Sequence, residues 1–281
     1  LNGIIIFSRN IIKNLRFENI NLEASDVKSI ILNANIIENV YANNVKLIKT
    51  GDVSNNGLGG LVGSLSNEMK NCGVNNVTII NETYSTATRI GGLIADTSNA
   101  NINNCYATNI NIQTKNNTYT GVGGLIGHVG SSIITNCYTT GKIKIDGSNV
   151  GGLVGYMSSS SKLYNSFAYV NITGNATAIG GIVGNFASGC QMSNNLALGN
   201  MYTSQLNTSP KRIVGSGTLT STNYAYSNQR LNGLIETTTE TNIDILTPEE
   251  LLTQSTYTNI LNYGNAYDYS QLGENILPKL Y

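Results

Sequence analysis

The chain has 281 residues, enough to bury a sizeable core, and its formal net charge is zero. Only 11% of the residues are charged, against roughly 25% in ordinary soluble domains, and Lys and Arg form no run. Nucleic acid is therefore a poor candidate partner, and no apolar stretch approaches the roughly 20 residues of a membrane span. The four cysteines form no Cys-x-x-Cys pair, so neither a zinc site nor any other cofactor is expected.

A glycine motif, Gly-Gly-Leu-Ile-Gly at residues 123–127, recurs along the chain. Close copies begin at residues 59, 91, 151 and 180, so that the five starts lie 32, 32, 28 and 29 residues apart, and a degraded sixth copy occupies 213–215. The paired glycines are Gly59, Gly60, Gly91, Gly92, Gly123, Gly124, Gly151, Gly152, Gly180 and Gly181. Self-similarity at this period indicates stacked structural units.

A second motif lies halfway between the glycine motifs. Its clearest copy is Asn-Cys-Tyr-Ala at 104–107, and related copies from residue 14 to residue 225 bring the total to eight. The best-defined asparagines are Asn71, Asn104, Asn136 and Asn165. Asparagine tolerates left-handed backbone geometry, so we expect these residues at corners of the chain, where the amide can bond its stacked neighbour.

Each unit contains three strands of about three to five residues, separated by turns and without a helical period. This pattern predicts an all-β chain folded as a right-handed parallel β-helix of about eight coils, roughly 40 Å long at the usual strand spacing. We assign residues 1–230 to the β-helix. Residues 231–281 are expected to form a C-terminal cap or a junction to another domain, because an open solenoid end exposes core and strand edge.

The C-terminal cap contains a helix-start signal. Thr247 is a suitable N-cap, Pro248 suits the first helical position, and two glutamates follow in the first turn. We expect a short helix that runs to about Leu261.

Side-chain parity in the second motif follows from Leu15-Arg16-Phe17, where the unpaired charge of Arg16 must face water. Cys72, Cys105 and Cys137 then point inward as small buried side chains. The middle residue of each copy points outward. The resulting aromatic stripe consists of Tyr41, Tyr106, Tyr138, Phe167 and Tyr224. It is a possible binding surface for glycan or protein, unless its rings only stack on one another or are covered by the cap.

The repeats also suggest a family. The alternation of Gly-Gly-Leu-Val-Gly, at 59–63 and 151–155, with Asn-Cys-Tyr-Ala resembles the GLUG repeat of bacterial surface proteins. The arrangement is similar to the N-terminal, non-catalytic region of Gram-positive IgA1-protease-type zinc metallopeptidases. In that family such repeats precede a tail like residues 269–281, which closes on Leu-Pro-Lys-Leu. The resemblance implies no catalytic residue here, because the family's His-Glu-x-x-His motif is absent from a chain with one histidine.

An enzyme of the polysaccharide-processing type is the least supported reading. Such β-helices cluster carboxylates on one face, but residues 83–235 contain only Asp96 and Asp146. His128 occupies a slot that other copies fill with Ser64, Asp96 or Tyr156, which is typical of an exposed turn rather than of a catalytic or metal site.

We therefore predict a non-catalytic rigid spacer or interaction module of a secreted or cell-wall-attached bacterial protein. The resemblance points to a zinc metalloprotease that acts on host proteins as the parent, and the remainder of that polypeptide as the main partner. The alternative is an adhesin module that binds host glycoprotein or glycan through the aromatic stripe, as in a virulence factor. We expect no membrane insertion.

Overall fold

A computed structural model describes residues 8–51, 57–82, 89–114, 121–204, 209–235, 240–272 and 277–280. Residues 1–7 of the predicted β-helix and residues 273–276 and 281 of the predicted tail lie outside the described residues.

Almost all regular structure is β. The strands are β1 (Ser8–Ala24), β2 (Ile31–Lys49), β3 (Leu58–Gly59), β4 (Val62–Asn81), β5 (Arg89–Gly91), β6 (Ile94–Ser98), β7 (Asn101–Thr114), β8 (Gly121–Gly123), β9 (Ile126–Gly130), β10 (Ile133–Thr135), β11 (Tyr138–Lys144), β12 (Gly147–Gly151), β13 (Val154–Ser158), β14 (Lys162–Tyr164), β15 (Phe167–Thr173), β16 (Ala176–Gly180), β17 (Val183–Phe186), β18 (Gln191–Ser193), β19 (Leu196–Ala197), β20 (Met201–Tyr202), β21 (Val214–Ser216), β22 (Asn223–Tyr226), β23 (Arg230–Leu231), β24 (Leu234–Ile235), β25 (Ile243–Leu246), β26 (Tyr267–Asp268) and β27 (Lys279–Leu280).

Strands of successive repeats pair in parallel, which confirms the predicted parallel β-solenoid. One ladder runs β1–β2–β4–β7–β11–β15–β19–β22–β25 and carries the asparagine motif. The strands that follow the glycine motif form a second ladder, β4–β6–β9–β13–β17–β21. The strands that lead into the glycine motif form a separate sheet in the order β3–β5–β8–β12–β16.

The solenoid has about six turns rather than the eight predicted. The asparagine motif occurs in more repeats than the glycine motif, and a complete turn needs both. The sheet at the glycine corner contains five strands and is extended by a single bridge between Gly180 and Lys211. The first two repeats therefore extend the asparagine ladder without a glycine motif of their own.

The inward side chains stack in register and fill the solenoid. The apolar residue two places before each asparagine is 0–2% exposed in six successive repeats, at Ile37, Met69, Ile102, Ile134, Leu163 and Met192. Cys72, Cys105 and Cys137 are fully buried in the same core. The stripe residues Tyr138, Phe167 and Tyr224 belong to a different apolar cluster outside the coil, which confirms the predicted parity.

Within the C-terminal cap, β24 pairs antiparallel with β23, and the following strand, β25, still pairs with β22 of the solenoid. After it, Thr247 and Glu250 exchange side-chain-to-backbone hydrogen bonds of 2.7 and 3.3 Å, the reciprocal arrangement of a capping box. The continuous helix that we predicted does not form. Its place is taken by a 3₁₀ helix at Glu250–Leu252, a π-helix at Thr256–Ile260 and a second 3₁₀ helix at Gly264–Ala266.

The break in the helix occurs at Thr253, whose backbone is extended. Its hydroxyl donates to the carbonyl oxygen of Glu250 at 2.9 Å and lies 2.9 Å from the hydroxyl of Thr256. Threonine side chains that bond local backbone compete with continued helix formation, and this segment contains several.

Candidate functional site: the aromatic stripe

The aromatic stripe runs in register along the outside of the solenoid. Tyr106 is paired with Tyr138, and Tyr138 with Phe167, on neighbouring strands. The ring centroids are 5.5 and 4.9 Å apart, and both pairs are stacked. Neighbouring strands lie about 4.8 Å apart, so equivalent outward rings meet at stacking distance. The rings consequently face each other along the solenoid axis and turn their edges outward.

Gly73 occupies the stripe position between Tyr41 and Tyr106, where it contributes no ring. A Cβ atom at this glycine would lie 2.3 Å from Cζ of Tyr106, which shows that the tyrosine ring rests directly on the glycine backbone. The ring centroid of Tyr106 thereby comes within 6.4 Å of that of Tyr41, although a whole coil separates their strands. The absence of a side chain at Gly73 keeps the stripe continuous.

The cap covers one half of the stripe. Tyr138 is 6% exposed, Phe167 1% and Tyr224 8%, whereas Tyr41 and Tyr106 are only partly buried. The covering side chains form a buried cluster with the outer side chains of the solenoid. This cluster contains Tyr138, Phe167, Leu196, Leu198 and Tyr224 from the solenoid, and Leu246, Leu251, Tyr257, Leu261, Tyr263 and Tyr267 from the cap.

Two tyrosines anchor the cap by their hydroxyl groups. Tyr263 donates to the carbonyl oxygen of Ser166 at 2.9 Å. The Tyr267 hydroxyl lies 3.3 Å from the carbonyl oxygen of Cys137 and 3.2 Å from that of Asn165. Burial raises the pKa of both tyrosines well above the ordinary value, so the hydroxyls stay protonated and available as donors. The rings of both residues also pack against Phe167.

Tyr41 and Tyr106 are partly exposed, and we call this pair the uncovered half of the stripe. It borders two adjoining cavities. The larger has a volume of about 870 Å³ and is lined by solenoid residues and by the end of the tail. The smaller, about 270 Å³, is bordered by both Tyr41 and Tyr106. The larger cavity is within the size range of ligand pockets in proteins. Its lining includes Tyr106, Thr108, Thr140, Tyr169, Asn171 and Leu280.

The predicted corner asparagines all have left-handed backbone conformations. The φ angles are 52° at Asn71, 52° at Asn104, 54° at Asn136 and 51° at Asn165. Their amides bond from coil to coil, as in the 3.3 Å hydrogen bond that Asn104 donates to Asn71. The sequence analysis missed a second asparagine row. It links Asn19, Asn44 and Asn76 by hydrogen bonds of 2.9 and 2.7 Å between their side-chain amides. The five-residue offset between the two rows was visible in the sequence.

The cysteine slot behind the stripe is polar as well as buried. In the later coils its side chain accepts the backbone N–H of the preceding coil: Ser166 does so from Cys137 at 3.0 Å, and Asn195 does so from Ser166 at 3.2 Å. Cys72, Cys105, Cys137 and Cys190 are free thiols. The predicted small side chains therefore also satisfy backbone groups, which a purely apolar interpretation had not included.

His128 is not an isolated turn residue. Its Nδ1 lies 2.8 Å from Asp96 Oδ1, and its Nε2 lies 3.0 Å from the hydroxyl oxygen of Ser158. Arg89 pairs with the other carboxylate oxygen of Asp96. The signal was present in the sequence, because Asp96 and His128 occupy the same slot of successive repeats and are register partners on β6 and β9.

This order of groups resembles that of a nucleophilic serine site, but it lies on a flat parallel sheet. The strands that carry these groups, β6, β9 and β13, pair with one another in a parallel ladder. Ser158 also donates to the carbonyl oxygen of Val129 at 3.3 Å. The contacts are those of a polar row that links three coils.

The remaining acid of the central coils is Asp146, which accepts the backbone N–H of Asn175 at 2.9 Å. Asp96 and Asp146 thus bond to different partners. Across the described ranges, no three His, Cys, Asp or Glu side chains are grouped so that they could hold a metal ion. Within the same ranges, the helices are too short to cross a membrane.

Comparison with known proteins agrees with the repeat and the fold. Residues 118–144 match the model of the GLUG motif. A solved structure of an immunoglobulin A1 protease candidate from Bacteroides ovatus is similar over 98% of this chain and 87% of its own, with 18% identity and a TM-score of 0.60. A structure named IgA1 Protease matches 84% of this chain, with 15% identity and a TM-score of 0.50. No curated protein matches the sequence.

The chain spans only 19% of the length of that IgA1 Protease structure. At these identities the likeness shows the shared β-solenoid fold. The chain thus contains a GLUG motif and shares the β-solenoid fold of these IgA1-protease structures.

Proposed function

We propose that this chain is a non-catalytic spacer and interaction module of a secreted or cell-wall-attached protein, whose parent is a zinc metallopeptidase that acts on host proteins. The main support is the unbroken parallel ladder from β1 to β25, which joins successive coils in register. Each coil contacts its neighbours through backbone hydrogen bonds and a stacked core, so the module resists bending. A rod of this kind holds two parts of a polypeptide at a constant separation.

The likeness to IgA1-protease structures supports a protease as the parent. The role proposed for this module is steric: it positions a large protein substrate beside a catalytic domain elsewhere in the parent. Such a role acts on substrate binding and leaves the chemistry of peptide hydrolysis to other residues.

The test is deletion of the module from the full parent protein. Hydrolysis of a short fluorogenic peptide should keep its kcat/KM, whereas kcat/KM for an intact protein substrate should fall through a higher KM. Loss of short-peptide hydrolysis in a folded deletion variant, or turnover by the isolated module, would refute the assignment. A parent open reading frame without a His-Glu-x-x-His motif would remove the metallopeptidase part of it.

An adhesin module is the second candidate, favoured by the uncovered rings of Tyr41 and Tyr106. In that case the isolated chain should bind a host glycoprotein directly. A glycan ligand suits this surface less well than a protein ligand, because sugar rings stack on aromatic faces and the stripe presents mainly edges.

A further inference from the structure

The two halves of the aromatic stripe are one surface with a common repeat. Tyr106, Tyr138 and Phe167 are register partners on successive strands, yet the cap buries the second and third of them and leaves the first partly exposed. The chain itself therefore shows what kind of molecule this surface accepts. On the covered half, the occupant is a polypeptide segment with closely spaced tyrosines, at 257, 263, 267 and 269.

The cap recognises the stripe by two means. Its aromatic rings pack against the stripe, with the Tyr263 and Tyr267 ring centroids 6.4 and 5.9 Å from that of Phe167. Its tyrosine hydroxyls reach the carbonyl oxygens beside the asparagine corner, at Asn165 and Ser166. Both means depend on features that the solenoid repeats from coil to coil.

The uncovered half offers the same features. Asn104 has φ of 52°, against 51° at Asn165, so the corner backbone of this earlier coil has the same conformation. Cys105 is buried directly before Tyr106, as Cys137 is before Tyr138. The adjoining cavities, about 870 and 270 Å³, are both bordered by Tyr106.

The charge around this surface is balanced. The smaller cavity is bordered by one cation, Arg16, and one anion, Glu18, and the larger by uncharged side chains apart from Lys279. A strongly acidic or basic partner therefore gains little. A neutral segment that carries tyrosines gains the ring packing and the hydroxyl-to-carbonyl hydrogen bonds seen in the cap.

We propose that Tyr41 and Tyr106, with the asparagine-corner carbonyls beside them, form a docking site for a tyrosine-bearing segment of another polypeptide. This inference rests on the proposed function as an interaction module and specifies the partner of its exposed face. The partner would lie along the solenoid axis, next to the chain's own cap.

The test uses the whole chain and a fluorescent peptide with the sequence of residues 257–270, and measures anisotropy. We expect saturable binding that is lost when the peptide carries serine in place of its tyrosines at 263 and 267. Tyr106→Ser and Tyr41→Ser should each weaken binding about two- to tenfold, the range of a lost aromatic contact. Tyr202→Ser is the matched control, because this tyrosine is 51% exposed and does not line either cavity.

Three outcomes would overturn the proposal. One is no saturable peptide binding by the wild-type chain. Another is binding that both stripe variants leave unchanged, which would mean that the peptide displaces the cap instead. The third is stripe-dependent binding of a neutral oligosaccharide without peptide binding, which would assign the surface to glycans. Melting curves check that Tyr106→Ser stays folded, and Tyr41→Ser, which has no ring contact with the cap, serves if it does not. None of these results alters the deletion test of the spacer role.

Discussion

Gly124 lies where two coils approach closely, and replacing it with alanine tests the stacking of the solenoid. A Cβ atom at this position would be 2.1 Å from the carbonyl oxygen of Gly152 and 2.6 Å from the hydroxyl of Thr139. Carbon–oxygen contacts ordinarily need about 3.3 Å, so the coils would have to separate locally by roughly 1 Å. The left-handed region is not involved at Gly124, so the expected effect comes from packing alone.

The cost has two parts. Overpacking of a well-packed site costs about 1–3 kcal/mol. The shift also weakens the backbone hydrogen bonds of Gly124 to Gly92 and Gly151, at 3.0 and 3.2 Å, each worth about 0.5–1.5 kcal/mol. We expect a total loss of about 2–4 kcal/mol in the free energy of unfolding. For a chain of this size that lowers Tm by roughly 3–7 °C.

The measurement is thermal unfolding by circular dichroism, with Gly130→Ala as the matched control. Gly130 is also buried in a strand, but its nearest atom to a new Cβ is 3.6 Å away, an ordinary contact. The control should change Tm by less than about 2 °C, because the new methyl group would make only ordinary van der Waals contacts. Equal Tm values for the two variants would show that the glycine corner is not a close-packed contact between coils.

Four further predictions concern the cap and the buried groups. Tyr267→Phe should lower stability by about 0.5–1.5 kcal/mol in denaturant titrations, because it removes a buried hydroxyl donor, whereas Tyr269→Phe, which loses an exposed bond, should cost less. Burial raises the pKa of Tyr263 and Tyr267, so Tm should be constant up to the tyrosine pKa of the unfolded chain, near pH 10, and should fall above it; a Tm that rises there would contradict this sign. Burial likewise raises the pKa of the Cys105 thiol, which should resist a thiol reagent until the chain is denatured. Ser158 should not react with a fluorophosphonate probe, since its hydroxyl belongs to a row of polar groups on the parallel sheet, and labelling would contradict the non-catalytic assignment.

Much of the fold was predictable because repeats carry local information. The position two residues before each asparagine is apolar in six repeats, and all six side chains are buried in register. The parity inferred from Arg16 placed the cysteines inside and the tyrosines outside. The number of turns was overestimated because the asparagine motif extends beyond the coils that also carry the glycine corner.

Contacts between distant segments were not predictable in the same way. Tyr263 bonds Ser166 across 97 residues, and Tyr267 bonds Cys137 across 130, so nothing local distinguishes a covered tyrosine of the stripe from an uncovered one. The continuous helix expected after Thr247 is broken, and this break similarly depends on threonine side chains and on packing of the segment on the solenoid.

The sequence by itself determined the repeat, the all-β class and the face on which each motif side chain lies, because strand alternation and a constant period are properties of neighbouring residues. Only the tertiary structure decided which half of the aromatic stripe is buried and that Ser158 joins Asp96 and His128 across three coils. Those outcomes depend on where the non-repeating cap comes to rest and on the alignment of coils some 30 residues apart.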